Sequence, residues 1–373
     1  MSKVVIIGSG FGGLTAVRTL RRQGYQGKIT LISPRPVLFY YPSLIWIPAG
    51  LRTEADLTIP LNGFFKDHNV QHHPANVTGL EQNQVQTDNG TVDFDSLIIA
   101  SGSRFIRKLP GIENVCIPCE GYEPVKKYAD SLAKLDGGTL AFGFASNPKE
   151  PIAMRGGPIF EFLFGIDTLL RKQKRRDKFK LVFFSPAPEP GKRLGEKAVQ
   201  ALLGEMEKHQ IETHLGHKMK GFDTGVVHTE GGDIASDLTM FMPGMTGPAW
   251  LANSGLPLSE GGFIQADAHC QVVGFKNIYA VGDCGSHPGP QWLPKQAHMA
   301  DLQAETAAKN LIANQKGSEA NNKFTTELIC IVDTLDQGML VYRSSNRTVM
   351  LPKMKLFNWA KRFFEWYYLR AYR

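Results

Sequence analysis

Residues 1–14, MSKVVIIGSGFGGL, decide the fold: an apolar strand, Val4 to Ile7, runs straight into Gly8, Gly10 and Gly13 of a G-x-G-x-x-G turn. Each glycine answers a steric need. One makes the tight bend, the second lets backbone N–H groups approach a pyrophosphate, and the third lets the helix read over Leu14–Arg22 pack close to the strand, its N-terminal dipole facing the phosphates. The strand and the helix are both present and a partner motif recurs far down the chain, so the turn reads as a dinucleotide site rather than an ordinary Gly-rich loop.

Working outward, strand and helix alternate to about Phe105, through KITLIS ending at Ser33 and SLIIASGS ending at Ser103. This is an α/β pattern. A second stretch of the same kind covers 106–262, with strands TLAFGF, KLVFFSP and LTMFMPG and a helix read over Lys197–Lys208. The chain then returns to the first unit at 263–322, where FKNIYAVGDCG ends a strand in Gly282-Asp283 and a helix runs from about Lys295 to Leu311. Residues 323–373 form a terminal segment. Such an excursion is the layout of flavoproteins with two Rossmann-like dinucleotide-binding domains, in which the late Gly-Asp turn brings a carboxylate to the flavin's ribityl and phosphate region. FAD is therefore the expected cofactor.

Two slots depart from this pattern. Where the second strand ends, an acidic residue ordinarily meets the ribose hydroxyls, and this chain has Ser33-Pro34-Arg35. Ser33 retains a hydroxyl for the ribose, and Arg35 is either an adenine or phosphate contact or a solvated loop charge. After TLAFGF a nicotinamide site needs a second Gly-rich turn, but the chain reads ASNPKEPIAMRGGPIFEF. A nicotinamide site is disfavoured, and the electron donor is expected to be something else.

The 373 residues, 42% hydrophobic and 21% charged, fit a globular chain of two or three domains. The formal charge of +7 points to nucleic acid or an anionic membrane surface. No apolar run is long enough to span a bilayer, and the nucleotide turn follows Lys3 too closely for a signal peptide, so a cytoplasmic location is expected. Cys116, Cys119, Cys270, Cys284 and Cys330 are too few and scattered for a disulfide-stapled domain. Metal is not expected either, because the C-x-x-C of Cys116 and Cys119 has no second ligand pair at recognisable spacing.

Several longer segments resemble the sulfide:quinone oxidoreductases and the flavocytochrome c sulfide dehydrogenase flavoproteins. They are ITLISPRPVLFYYPSLIWIPAG, GGPIFEF, TMFMPGMTGPAWL, KNIYAVGD, PKQAHMADLQA and ELICIVDTLDQGM. The resemblance implies a cysteine pair on one face of the flavin that accepts sulfide and passes two electrons to FAD, with quinone collecting them on the other face. Cys330, in LICIVD, matches the second cysteine of that pair. Where the first is expected, the chain has Arg155, which stays protonated and so is no nucleophile but can hold an anion or lower a thiol's pKa. Cys119 matches a third family cysteine near the flavin, and Cys119 or Cys116 is the candidate substitute or covalent tether. The resemblance also brings Lys295 and Gln296 to the flavin pyrimidine; His298, in the following turn, reads as a packing histidine ahead of a proton relay for the quinone.

The tail KMKLFNWAKRFFEWYYLRAYR interleaves aromatic residues with Lys353, Lys355, Lys361, Arg362, Arg370 and Arg373. That composition suits a helix lying on an anionic membrane, on its cytoplasmic face, and not an extended nucleic-acid groove. The expected activity is FAD-dependent oxidation of sulfide or a related sulfur species with a quinone as acceptor, in a chain whose sequence leaves room for a homo-oligomer. Two alternatives stay open: a type II NADH:quinone oxidoreductase, and a flavin-binding electron-transfer or sensor protein without sulfide turnover.

Overall fold

The apolar run before the glycine turn is buried on both faces because it forms a central strand of a parallel sheet covered by helices. The structure, a computed structural model, describes residues 2–373. Its first sheet contains β1 (Lys3–Ile7), β2 (Lys28–Ser33), β3 (Val70–Pro74), β4 (Ser96–Ile99) and, much later, β9 (Ile278–Ala280), in the order β9-β4-β1-β2-β3. All neighbours are parallel, with Val4 opposite Ile29 on one side and Ser96 on the other.

The second sheet repeats this unit. Strands β5 (Gly138–Phe144), β6 (Phe179–Ser185), β7 (Ile211–Leu215) and β8 (Leu238–Met242) lie in the order β8-β5-β6-β7, again all parallel. In both units the return from the third strand to the fourth passes through a three-stranded antiparallel meander, 77–93 in the first and 219–235 in the second. The principal helices are α1 (Phe11–Arg22), α2 (Tyr122–Lys134), α3 (Gly157–Lys172), α4 (Glu196–Lys208), α5 (Ala297–Gln315) and α6 (Lys355–Leu369).

Helix α1 begins three residues before the sequence pattern implies. Gly10 is its N-cap and accepts the first helical hydrogen bond from Leu14 N at 3.1 Å, so Gly12 and Gly13 fall inside the first turn. Their missing side chains set the packing. A Cβ at Gly12 would meet Val281 at 3.1 Å and Ala300 O at 3.4 Å, so the bare turn is what lets the chain around β9 and α5 settle on α1. Helix α5 itself starts two residues later than read, with Gln296 as its N-cap.

The second unit has a core rich in phenylalanine. Phe144, Phe160 and Phe183 are almost fully buried, with ring centroids 5.3–5.8 Å apart, and each side chain of this size contributes about 1.5–3 kcal/mol by leaving water. Beyond α5, an antiparallel sheet of β10 (Glu327–Asp333), β11 (Gly338–Ser344) and β12 (Thr348–Met354) leads into α6. Phe357, Leu369 and Tyr372 anchor that C-terminal helical segment in the core, while Leu356, Trp359, Phe363, Phe364, Trp366 and Tyr367 face outward. No described helix is long and apolar enough to cross a membrane.

Candidate functional site

Two of the three positions of the glycine turn, Gly8 and Gly13, admit only glycine. Gly8 has φ +105°, and a Cβ there would lie 2.4 Å from Ala100 O; at Gly13 it would lie 2.0 Å from Gly8 O. The N-terminal turn of α1 carries no acidic side chain and no side-chain cap, leaving its N–H groups for an anion. Across the sheet end, Gly282 (φ +71°) donates its N–H to Gln303 Oε1 at 2.7 Å and sets Asp283 in a tight turn. Ser101 Oγ and Gln296 Oε1 are buried with no partner. A phosphate cradle at one end, a carboxylate at the other and unclaimed polar atoms fit FAD.

The remaining cofactor candidates are placed differently from one another. The Ser33 hydroxyl is buried, donates to Arg35 O at 2.9 Å, and lies 3.1 Å from His72 Nε2. The His72 ring stacks on Phe65, and burial lowers its pKa. Arg35 itself is exposed. Lys295 does not open α5: its ammonium donates to Asp283 O at 3.0 Å and Gly285 O at 2.8 Å and sits 4.0 Å from the centroid of the Phe263 ring, so it holds the Gly-Asp turn from beneath.

Arg155 forms an ion pair with Asp283, and its guanidinium bears on the Cys119 thiol. Burial raises the Cys119 pKa, and the Arg155 cation opposes that rise. Cys116 turns away, its thiol donating to Pro124 O at 3.4 Å. Cys330, on β10, faces a different pair. Burial pushes its thiol up to about 12, Glu161 adds to the rise and Lys361 opposes it. Glu161 acts on both thiols, so its carboxylate stands in the field of Cys119 and of Cys330.

Glu161 is a functional candidate that the sequence reading did not single out, and Lys361, read there as a lipid-facing cation, turns inward to it. Glu161 projects from α3 and pairs with Lys361 of α6, while its Oε1 accepts the Asp333 N–H at 3.0 Å. The Lys361 ammonium also lies 3.4 Å from Ile331 O, one residue after Cys330. Asn358 donates to Asp333 Oδ2 at 2.8 Å, which ties α6 to β10 a second time. The available signal was a lone acid in the apolar run GGPIFEF and a lysine between aromatics, and neither names its partner.

Other candidates have local roles. The Cys284 thiol lies 3.3 Å from both Ile99 O and Val281 O, and Cys270 is buried at φ +64°. His298 Nε2 contacts Glu327 Oε2 at 3.1 Å. Among the described residues, no three His, Cys, Asp or Glu side chains are grouped to hold a metal.

After β5 the second unit carries a polar loop in place of a glycine-rich turn. Residues 145–156 fold back after β5, where Asn147 Nδ2 donates to Met245 O at 2.9 Å and Gly261 O at 3.1 Å. A Cβ at Gly244 would meet this loop's backbone at 2.4 Å, so the loop is closely packed in place. Helix α3 therefore begins behind a pinned polar loop rather than at an open glycine turn.

This architecture has known relatives. The chain is 25% identical over 354 residues to a sulfide-quinone reductase of Aquifex aeolicus, covering 88% of this chain and 80% of that protein. It is 24% identical over 378 residues to a type II NADH:quinone oxidoreductase of Staphylococcus aureus, covering 91% and 90%. The solved structure of the sulfide:quinone oxidoreductase from Aquifex aeolicus superposes with a TM-score of 0.89 at 23% identity, over 100% of this chain and 92% of that one. The family model for pyridine nucleotide-disulphide oxidoreductases matches residues 2–304, and with the doubled parallel-sheet unit and its glycine cradle, the chain belongs to that family.

Proposed function

We propose that the protein is an FAD-dependent oxidoreductase that oxidises sulfide or a related sulfur species and delivers two electrons to a quinone. The observation that carries this reading is the environment of Cys330: a half-buried thiol on a redox strand, next to a buried Glu161–Lys361 pair and close to the field of the Cys119–Arg155 contact. The pinned loop 145–156 favours it over NADH oxidation, as does the relationship to proteins named as sulfide-quinone reductases.

The side chains divide the work. With its pKa near 12, Cys330 holds its proton at neutral pH, and the Glu161–Lys361 pair is the charged pair whose field bears on that thiol. Lys361 stabilises negative charge on Glu161 and on the thiol. Arg155, in the place of a first redox cysteine, keeps its charge, so Cys119 is the thiol available to act with Cys330. Bound FAD supplies the two-electron relay between the sulfur side and the quinone side. Gly8, Gly10, Gly13, Ser33 and Asp283 hold that cofactor, and the Lys295 ammonium fixes the turn that carries Asp283. The division 1–105, 106–262, 263–322 and 323–373 then separates cofactor binding, the second sheet unit, the return to the cofactor and the redox strand with its membrane contact. The outward aromatics of α6 rest on the cytoplasmic face of an anionic membrane, where a quinone is reached.

The test is anaerobic stopped-flow of the flavin-loaded protein, mixed with sulfide or with NADH and followed by flavin absorbance. Sulfide bleaches the flavin quickly, NADH does not, and Cys330→Ser abolishes the sulfide response. Bleaching by NADH alone, or a Cys330→Ser variant as fast as wild type, would rule the proposal out.

A further inference from the structure

The terminal sheet of β10, β11 and β12 has two apolar faces, and the core covers only one of them. Side chains alternate across the sheet, so Leu328, Val332, Met339 and Val341 point into the core, and Cys330 points the same way. The opposite face carries two cross-strand rows, Ile329–Tyr342–Val349 and Ile331–Leu340–Leu351. An antiparallel sheet with one face in water is ordinarily polar on that face. Here Ile329 is 43% exposed and Leu351 37%, and the other four are half-buried. Helix α6 packs on one end of this face, where a Cβ at Gly338 would meet Ile331, Phe357 and the Asn358 backbone.

The face runs into a second apolar surface without a loop between them. Strand β12 ends at Met354 and α6 starts at Lys355, so exposed Leu351 and Met354 lead directly to Leu356 and Trp359 on the outer side of the helix. Charge around the two surfaces is one-sided. Within 323–373, Asp333 and Glu365 are buried and Glu327 contacts His298, which leaves Asp336 as the exposed acid against Lys323, Arg347, Lys355, Arg370 and Arg373. Arg347 lies in the turn that joins β11 to β12, and Lys355 follows the far end of β12, so cations bracket the apolar rows. Apolar side chains with a cationic rim match a lipid surface whose headgroups are anionic. A second copy of this chain on the same face would bring a second set of the same cations, so the charge favours lipid over self-association.

We propose that the outer face of β10, β11 and β12 is a second membrane anchor, lying on an anionic bilayer together with the outer face of α6. The inference rests on the reading of α6 as a membrane-contacting helix and extends it to the sheet. A single helix leaves the protein free to rock about the helix axis on the surface, and a sheet face joined to it removes that freedom. Two anchors meeting at Met354 and Lys355 therefore set the tilt of the whole molecule. They place β10 at the lipid surface with Ile329 outward and the neighbouring Cys330 turned inward.

The flavin-loaded protein is co-sedimented with vesicles of mixed phosphatidylcholine and phosphatidylglycerol. Leu351→Gln with Met354→Gln lowers binding roughly threefold to tenfold, the scale of two half-exposed apolar side chains withheld from lipid. Val273→Gln, at an exposed apolar residue of the return unit, leaves binding unchanged. Both variants keep the wild-type unfolding temperature, and phosphatidylcholine alone binds the wild-type protein more weakly. Hydrogen exchange on the wild-type protein gives the same test without a substitution. Strand β12 is an edge strand, and its amides over 348–354 exchange roughly tenfold more slowly once vesicles are added. Sheet-variant binding equal to wild type, equally tight binding to phosphatidylcholine alone, or unchanged exchange over β12 would overturn the second anchor. Trp359→Ser with Phe363→Ser, run beside it, reports on α6 alone, so the two contacts fail separately. A sheet variant that sediments more slowly than wild type without vesicles would assign the face to a second copy of the chain and overturn the proposal as well.

Discussion

Asp301 shows how one side chain sets a pH dependence. From α5 its Oδ1 accepts the Thr15 hydroxyl at 2.6 Å, and the Tyr368 hydroxyl donates to Oδ2 at 3.1 Å, joining α5, α1 and the C-terminal helix. Burial outweighs these bonds and raises the carboxyl from 3.8 to about 6. A carboxyl whose pKa is raised by folding binds its proton more tightly in the folded state, so its contribution to stability falls as pH rises from about 4 to 6 and stays unfavourable above that. Asp301→Asn keeps an acceptor for Thr15 and removes the charge. It is expected to stabilise the protein by about 1–3 kcal/mol at pH 7.5, and the gain disappears by pH 4. Denaturant unfolding at the two pH values measures this, and a variant less stable at pH 7.5 would contradict it.

At the scale of elements, α6 is held against α3 by a buried ion pair rather than by apolar contact alone. The Lys361 and Glu161 side chains are only 15% and 9% exposed. Breaking such a pair from one side leaves a stranded charge, so Lys361→Met is expected to cost about 3–5 kcal/mol. Adding Glu161→Gln removes that charge and preserves an acceptor for the Asp333 N–H. The double variant is therefore expected to recover most of the loss in thermal or denaturant unfolding. Additive destabilisation by the two substitutions would show that the pair is not coupled.

For the whole molecule, α6 has a docked face and an apolar outer face. The sequence reading gave the tail's basic residues to lipid headgroups, but Lys361 turns inward to Glu161, Lys353 pairs with Glu205, and the Arg362 guanidinium lies 5.5 Å from the centroid of the Trp46 ring. Lys355, Arg370 and Arg373 remain exposed. Membrane attachment should then rest more on aromatics than on charge. Trp359, at 74% exposure, and Phe363, at 63%, contribute little to the core. Trp359→Ser with Phe363→Ser is expected to lower co-sedimentation with anionic vesicles tenfold or more while leaving the unfolding temperature within a degree or two. Undiminished vesicle binding would remove α6 from the membrane contact.

Much of this was already legible in the chain. Val4–Ile7 and the three glycines after them specify a strand, a bend and a close-packed helix through local sterics, and local sterics need no partner. The same holds for the Gly282-Asp283 turn, and the polar loop in place of a second glycine turn was visible as a missing pattern. Arg155 was recognisable as a substitution but not as the partner of both Cys119 and Asp283. Glu161 with Lys361, 200 residues apart, and Arg193 between Met154 and Leu293 carried no periodic signal. Sequence determined what each segment becomes, because backbone sterics and hydrophobic patterning act over a few residues. The tertiary structure decided which charges meet, because burial and ion pairing depend on distances that exist only once the two sheet units and the C-terminal helix have packed.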